Sequence, residues 1–246
     1  LNTKKRALIT GTSRGIGNAI AEQMLRQGWS IVGTSRSGGV PSNLSTEQNF
    51  TGVPVNFSQP SDLADKLKPI IYPHPPDVLI NNVGTFQEAD FQLSDADWLE
   101  IWQHTMQVNL TSAALLCKWF INSHLDHQSE GIIINIASRA AYRGDMSEFT
   151  AYAASKGGMV AMTKSIARGF GRQGIVAYSI APGFVETDMA QDSIETYGKE
   201  YLTRDSSFDQ MTQPSEVANL VAYLATGQVK HMTGSSFHIN GGSYMI

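Results

Sequence analysis

Cysteine is nearly absent from this chain: Cys117 is the only one in 246 residues, so no intrachain disulfide can form and the fold must rest on its core. Its setting, Ala113-Ala114-Leu115-Leu116-Cys117, is apolar and reads as a buried, inert thiol suited to a reducing compartment. Long hydrophobic runs are missing too. The apolar stretch after Lys4, Lys5 and Arg6 is interrupted at Thr10 and Gly11, too soon for a secretory segment or a membrane span. A cytoplasmic protein with no membrane partner is expected. Neither charge sign dominates: 18 Lys and Arg against 22 Asp and Glu give a formal charge of −4, and no basic stripe exists to neutralise a phosphate backbone, so no nucleic acid partner is expected. No linker, repeat or low-complexity tract divides the sequence, and its length suits one domain, 1–246, with a large core. His124 and His127, among Asp126 and Gln128, read as a solvated helix end, and no metal site is expected.

What the chain does have is alternation. Short apolar runs rich in β-branched residues fall at 7–10, 30–34, 52–57, 78–81, 132–136, 175–180 and 236–239, with helical periodicity between most of them. Such alternation calls for an α/β fold: a doubly wound, Rossmann-type parallel sheet of about seven strands with helices on both faces. A helix from about 15 to 27 carries Ile16, Ala19, Ile20 and Met24 on one face and ends near Gly28. Longer helices are expected from about 95 to 124, broken near Asn109, and from about 151 to 172; Asp95 and Asp97 favour the positive end of the first. Right-handed crossovers place a ligand cleft at the carboxyl ends of the strands.

The run Thr10-Gly11-Thr12-Ser13-Arg14-Gly15-Ile16-Gly17 lies between the first strand and the first helix, where a nucleotide pyrophosphate is usually cradled. Gly11 permits the sharp turn, Gly15 lets backbone approach phosphate, and Gly17 lets the helix lie close to the sheet. The second strand closes as Gly33-Thr34-Ser35-Arg36, with no carboxylate to hold a ribose 2′-hydroxyl. Arg36, with Arg14 from the glycine loop, instead suits a 2′-phosphate, which points to NADP(H).

Tyr152-Ala153-Ala154-Ser155-Lys156 sets a phenol and an ammonium one helical turn apart. Ser138 closes the strand at 132–136 on the edge where the ligand cleft is expected, and Asn81-Asn82-Val83-Gly84 closes its neighbour on the same edge. Asn109 puts a carboxamide into an otherwise apolar helix, as a functional group, a helix break or a structural hydrogen bond. A dinucleotide fold carrying a Tyr/Lys pair suggests hydride transfer to or from a carbonyl.

On these motifs the chain resembles the short-chain dehydrogenase/reductase family over nearly its whole length. The resemblance implies a cofactor loop at 10–17, with contacts from Gly11, Thr12, Ser13, Arg14, Gly15, Ile16 and Gly17. It implies adenine-side contacts from Arg36, Asn56, Phe57, Asn82, Val83 and Gly84. The stretch at 182–189 looks like the loop over the nicotinamide, which adds Pro182, Gly183, Val185 and Thr187. Asn109, Ser138, Tyr152 and Lys156 match the catalytic tetrad, Tyr152 and Lys156 also meeting the cofactor. Within the family, 182–189 and the ending at 233–246 look most like bacterial 3-oxoacyl-(acyl-carrier-protein) reductases. Four departures stand out: Asn56 for an Asp at the adenine, Val83 for an Ala, Tyr178 for an Asn, and one extra residue between Ser138 and Tyr152.

The implied chemistry is carbonyl reduction. Ser138 and Tyr152 hydrogen-bond the carbonyl oxygen, Tyr152 donates the proton, Lys156 lowers the phenol pKa and holds the nicotinamide ribose, and Asn109 positions a water. The leading substrate class is a 3-oxoacyl thioester, with an acyl-carrier protein as a partner; a small ketone, sugar or steroid-like alcohol, or a non-catalytic cofactor-binding regulator, are the alternatives. The segment His124-Leu125-Asp126-His127-Gln128-Ser129-Glu130 has two acids and no Lys or Arg, which argues against strong carrier docking, although Lys164, Arg168 and Arg172 could supply a basic patch. Residues 184–211, with Met189, Ile194, Tyr197, Tyr201, Leu202 and Phe208, form either a mobile substrate lid or core packing. The apolar tail Tyr244-Met245-Ile246 fits burial against a neighbour in a homotetramer.

Overall fold

The computed structural model describes residues 4–245, without the side chains of Met189, Asp192, Ser193, Thr196 and Tyr197. Seven strands, β1 (Arg6–Thr10), β2 (Ser30–Ser35), β3 (Phe50–Pro54), β4 (Val78–Asn81), β5 (Gly131–Ile136), β6 (Ile175–Pro182) and β7 (Ser236–Ile239), form one parallel sheet in the order β3-β2-β1-β4-β5-β6-β7. The order reverses between β1 and β4, and a crevice opens there at the strands' carboxyl ends. The helices are α1 (Gly15–Arg26), α2 (Pro60–Ile71), α3 (Asp95–Met106), α4 (Ser112–Asp126), α5 (Ala140–Arg143), α6 (Thr150–Phe170), α7 (Asp188–Tyr197), α8 (Lys199–Thr203) and α9 (Pro214–Ala225).

Alternation along the strands builds two cores. In β1, Ala7 and Ile9 join Ile20, Met24, Val217 and Val221 from α1 and α9, while Leu8 joins Leu63, Leu67, Leu116 and Phe120 from α2 and α4 on the other face. Each fully buried side chain of this size contributes about 1.5–3 kcal/mol by leaving water. The expected third strand at 52–57 sits earlier, at Phe50–Pro54, because Pro54 and the turn after it end the pairing. Helix α1 stops as expected at Gly28, whose φ of +85° suits glycine and whose N–H is bonded by the Leu25 carbonyl.

The helix expected to break near Asn109 instead stays helical. Its winding widens to a π turn over Gln107–Thr111 and then resumes as α4. Such widened turns recur at functional sites. Ser94, rather than the acids after it, caps α3 by accepting from the Asp97 N–H at 3.2 Å, while Asp95 and Asp97 fill its first turn.

Two further readings change. His124 is 2 % exposed, with Nε2 3.1 Å from the Pro76 carbonyl and Nδ1 2.8 Å from Ser129 Oγ; it packs in the core rather than at a solvated helix end, and burial lowers its pKa. Tyr178, which replaces an Asn in the resemblance, is fully buried, and its hydroxyl donates to the Val229 carbonyl at 2.8 Å. It braces β6 from the side of α9 and leaves the 182–189 loop without that amide. Cys117 is buried as expected, and burial pushes its thiol up to about 12.

Candidate active site

The glycine loop and the end of β4 are stitched into one unit. Thr10 Oγ1 accepts from the N–H groups of Asn82 at 2.8 Å and Val83 at 3.0 Å, and Asn82 Nδ2 donates to the carbonyls of Thr10 and Gly11 at 2.9 and 3.1 Å. Gly17 is obligatory here: a Cβ would stand 2.1 Å from the Gly11 carbonyl oxygen. Asn18 donates to the Thr12 carbonyl at 3.3 Å and holds the loop from beneath. Neither Thr10 nor Asn18 was singled out as a support in the sequence, because their partners come from the fold. Helix α1 starts with no side-chain cap and no acid in its first turn. Its N-terminal N–H groups therefore suit an anion from outside the chain, which is how a dinucleotide pyrophosphate would fit.

Other expected cofactor residues divide by exposure. Ser13, Arg14, Arg36 and Asn56 are exposed, Gly11, Gly15, Ile16, Gly84, Gly183 and Thr187 are half-buried, and Thr12, Phe57, Pro182 and Val185 are buried. Thr12 Oγ1 turns inward to the Thr34 carbonyl at 3.4 Å, and Phe57 packs in the core beside α2 and α4. Arg14 lies 3.5 Å from Asp188, an exposed pair. Arg36 meets no carboxylate within 4 Å among the described residues. The Asn56 amide oxygen already accepts from the N–H and hydroxyl of Ser58 at 3.1 and 2.8 Å, a local turn that competes with any ligand.

Across the crevice the four tetrad positions come together. Ser138 follows β5 and stands beside Tyr152 on α6, where its hydroxyl favours the phenolate; burial outweighs this and pushes the Tyr152 phenol up to about 12. Lys156, one turn on, is 3 % exposed, donates to the Ile136 carbonyl at 2.9 Å and lies 5.7 Å from the centre of the Tyr152 ring. Burial lowers it to about 8. Asn109 is fully buried in the π turn, where Oδ1 accepts from the Thr85 N–H at 2.7 Å and Nδ2 donates to the Thr85 carbonyl and to Ser155 Oγ, each at 3.0 Å. Its side chain thus ties three segments and keeps no N–H for the expected water. Gly84 leaves space beside it, since a Cβ would stand 3.5 Å from both Asn109 Oδ1 and Lys156 Nζ.

Aromatic rings wall the approach. Phe86 meets Tyr152 edge-on at 4.8 Å and stacks on Phe149 at 3.9 Å, and the loop bearing the extra residue is pinned where the Ala89 N–H donates to the Glu148 carbonyl at 2.7 Å. Across 184–211, α7 and α8 bury Ala190, Leu202 and Met211 with Phe184 and Ile194 in a small cluster of their own, while Phe208 is exposed; the side chains of Met189 and Tyr197 lie outside the described residues. No helix among the described residues is long and apolar enough to cross a membrane, and no group of three metal-ligating side chains occurs among them.

A parallel sheet with a glycine loop at its switch point, and a Ser/Tyr/Lys cluster across the crevice, defines a nicotinamide-dependent oxidoreductase fold. The family model described as enoyl-(acyl carrier protein) reductase matches residues 11–244, and the chain belongs to the short-chain dehydrogenase/reductase family. It is 34 % identical to the 3-oxoacyl-(acyl-carrier-protein) reductase FabG of Vibrio cholerae and 32 % identical to that of Escherichia coli, in each case over 98 % of both chains. Among solved structures it resembles an actinorhodin polyketide ketoreductase variant with NADPH, at TM-score 0.86 and 27 % identity over 98 % of this chain and 97 % of that one. It also resembles 4-hydroxyisoleucine dehydrogenase complexed with NADH, at TM-score 0.88 and 25 % identity over 97 % of this chain and 98 % of that one.

Proposed function

We propose that the protein reduces a carbonyl to an alcohol with NADPH, and that 3-oxoacyl thioesters are its substrate class. The observation that carries the reading is the Ser138–Tyr152–Lys156 cluster on the open side of the crevice; the full-length similarity to 3-oxoacyl-(acyl-carrier-protein) reductases supports the substrate class. The nicotinamide supplies the hydride when bound, held by the α1 N-terminus, Lys156 and the 182–187 loop, with Arg36 and Arg14 on the 2′-phosphate. Ser138 and Tyr152 hydrogen-bond the carbonyl oxygen and concentrate the developing negative charge between two donors. Tyr152 then gives that oxygen its proton. Because burial keeps the phenol protonated well above neutral pH, the acid is always loaded, and the Lys156 ammonium stabilises the phenolate left behind.

Phe86 and Phe149 suit an apolar acyl chain beside the reacting carbon, and 184–211 serves as the lid. Docking of an acidic carrier protein has modest support: Glu130 pairs with Lys230 at 2.5 Å, which offsets part of the acidic segment, and Lys164, Arg168 and Arg172 are exposed on one side of α6 and the turn after it. The same reading extends to a homotetramer: all four residues of the edge strand β7 are half-exposed, and Met245 is 81 % exposed. Ile246 lies outside the described residues.

The test is NADPH oxidation against matched carrier-protein, CoA and free-ketone forms of one 3-oxoacyl group. Thioester turnover with only modest preference for the carrier form is expected. A preference above about 100-fold, near 2.7 kcal/mol, would mean that the docking surface is misjudged, and no thioester turnover would replace the substrate class with a free ketone.

A further inference from the structure

Ser138 and Arg139 are adjacent in the chain but serve different cavities. Ser138 faces Tyr152, whereas the Arg139 backbone N–H continues the β6 pairing by donating to the Pro182 carbonyl at 2.9 Å and its side chain goes the other way. That side chain is 7 % exposed and enters a cleft of about 360 Å³ between the end of β7 and the 202–212 stretch. None of the tetrad residues lines the cleft.

The guanidinium there is poorly matched by the protein. Its one side-chain hydrogen bond among the described residues goes to Ser243 Oγ at 2.7 Å, and it stacks on the Phe184 ring at 4.5 Å. No described carboxylate lies within 4 Å of it. The nearby Asp205 is shared between Arg143 and Arg204, 3.8 Å from each, and Glu216 accepts the Gln213 N–H at 2.7 Å to cap α9. A second mismatch lies on the same wall. Both ring nitrogens of His238, which lines the cleft, are buried without a partner, and so is the hydroxyl of Tyr142, whose ring is tilted against the His238 ring with centroids 4.7 Å apart. Buried polar atoms are rarely left unmatched, and a buried cation still less so.

We propose that this cleft is a second binding site, distinct from the hydride-transfer centre, for a small monocarboxylate with an apolar body. The carboxylate pairs with the forked donors of Arg139, whose planar geometry suits a two-oxygen anion. His238 supplies an imidazole N–H beside it. Arg139 feels Asp145 and Asp205 at a distance but forms an ion pair with neither, so its forked donors match a monoanion; a phosphate dianion would place its second charge near Asp205 and Glu216. Phe184, Leu202, Phe208 and Met211 line the remainder and take the apolar part, and the volume lies at the small end for ligand pockets.

Ligand-detected NMR with hexanoate and hexanamide tests the site on the wild-type protein. Hexanoate should bind at least tenfold more tightly than hexanamide, with and without NADPH and in Tyr152→Phe as in wild type. Arg139→Gln should remove the preference for the acid. Thr203→Trp, at a half-exposed residue of the cleft wall, should block both probes, and it decides the matter if Arg139→Gln fails to fold. Equal binding of acid and amide, displacement of hexanoate by NADPH, or unchanged binding in Thr203→Trp would each overturn the proposal.

Discussion

The two banks of the crevice are built by opposite means. On the bank of β5 and α6, Asn109 and Lys156 are buried, both amide N–H groups of Asn109 are taken up by the protein and the Lys156 ammonium is anchored on the Ile136 carbonyl, so the cluster is assembled before any ligand arrives. On the far side, at the ends of β1, β2 and β3, Arg14 and Arg36 are exposed and Asn56 is occupied with its own turn. The reacting end is pre-organised, which favours catalysis; the adenine end takes its order from the ligand, which favours discrimination between cofactors.

The sharpest way to break this contrast is at the pre-organised bank. Tyr152→Phe keeps the ring against Phe86 and removes only the hydroxyl, so turnover should fall by about 100-fold or more while NADPH affinity stays within about twofold, on the order of 0.4 kcal/mol. Single-turnover kinetics and a fluorescence titration read the two quantities. Turnover above about a tenth of wild type would assign the proton to another group.

At the exposed bank the effect should be smaller and confined to one cofactor. Arg36→Asp should weaken NADPH by about 1.5–3 kcal/mol, the range for a charge-assisted hydrogen bond, and NADH far less. Arg14→Gln should do less than Arg36→Asp, because Arg14 already shares its charge with Asp188. Titration of both cofactors against each variant separates these outcomes. Equal losses for NADPH and NADH would remove the assignment of the 2′-phosphate to Arg36.

What could be read from the sequence follows the same division between local and distant causes. The strand positions, the α1 cap at Gly28 and the glycine loop were legible because their physics is local: short β-branched apolar runs, a positive φ, and a helix start directly after a strand. The π turn at Asn109 was not, since it is held by Thr85 and Ser155, 24 and 46 positions away. His124 was misread for the same reason. Its neighbours Asp126 and Gln128 suggest solvent, but its acceptor, the Pro76 carbonyl, comes from the connection between α2 and β4, 48 positions away. Ser155 had a usable signal, being set between Tyr152 and Lys156; Arg139 had none, because its lack of an ion-pair partner depends on how segments distant in sequence fold around it.

The weakest expected effect sharpens the comparison by asking what pre-organisation does to the fold. Burial lowers Lys156 from 10.5 to about 8 in the folded protein, so below about pH 8 the ammonium is present in both states and the folded one bears its desolvation. Between about 8 and 10.5 the unfolded chain binds more protons at this position than the folded chain, so this residue's contribution makes stability rise with pH across that window and level off above it. Tyr152, raised to about 12, acts in the opposite sense only above about pH 10. Urea denaturation of wild type and Lys156→Met at pH 7.5, 8.5 and 9.5, within the range these two assignments define, should therefore show wild type gaining on the variant at each step. The gain cannot exceed about 1.4 kcal/mol per pH unit for a single proton. Parallel stability curves would mean that Lys156 is solvated in the folded protein, and the built-in character of that bank would then rest on Asn109 and the π turn alone.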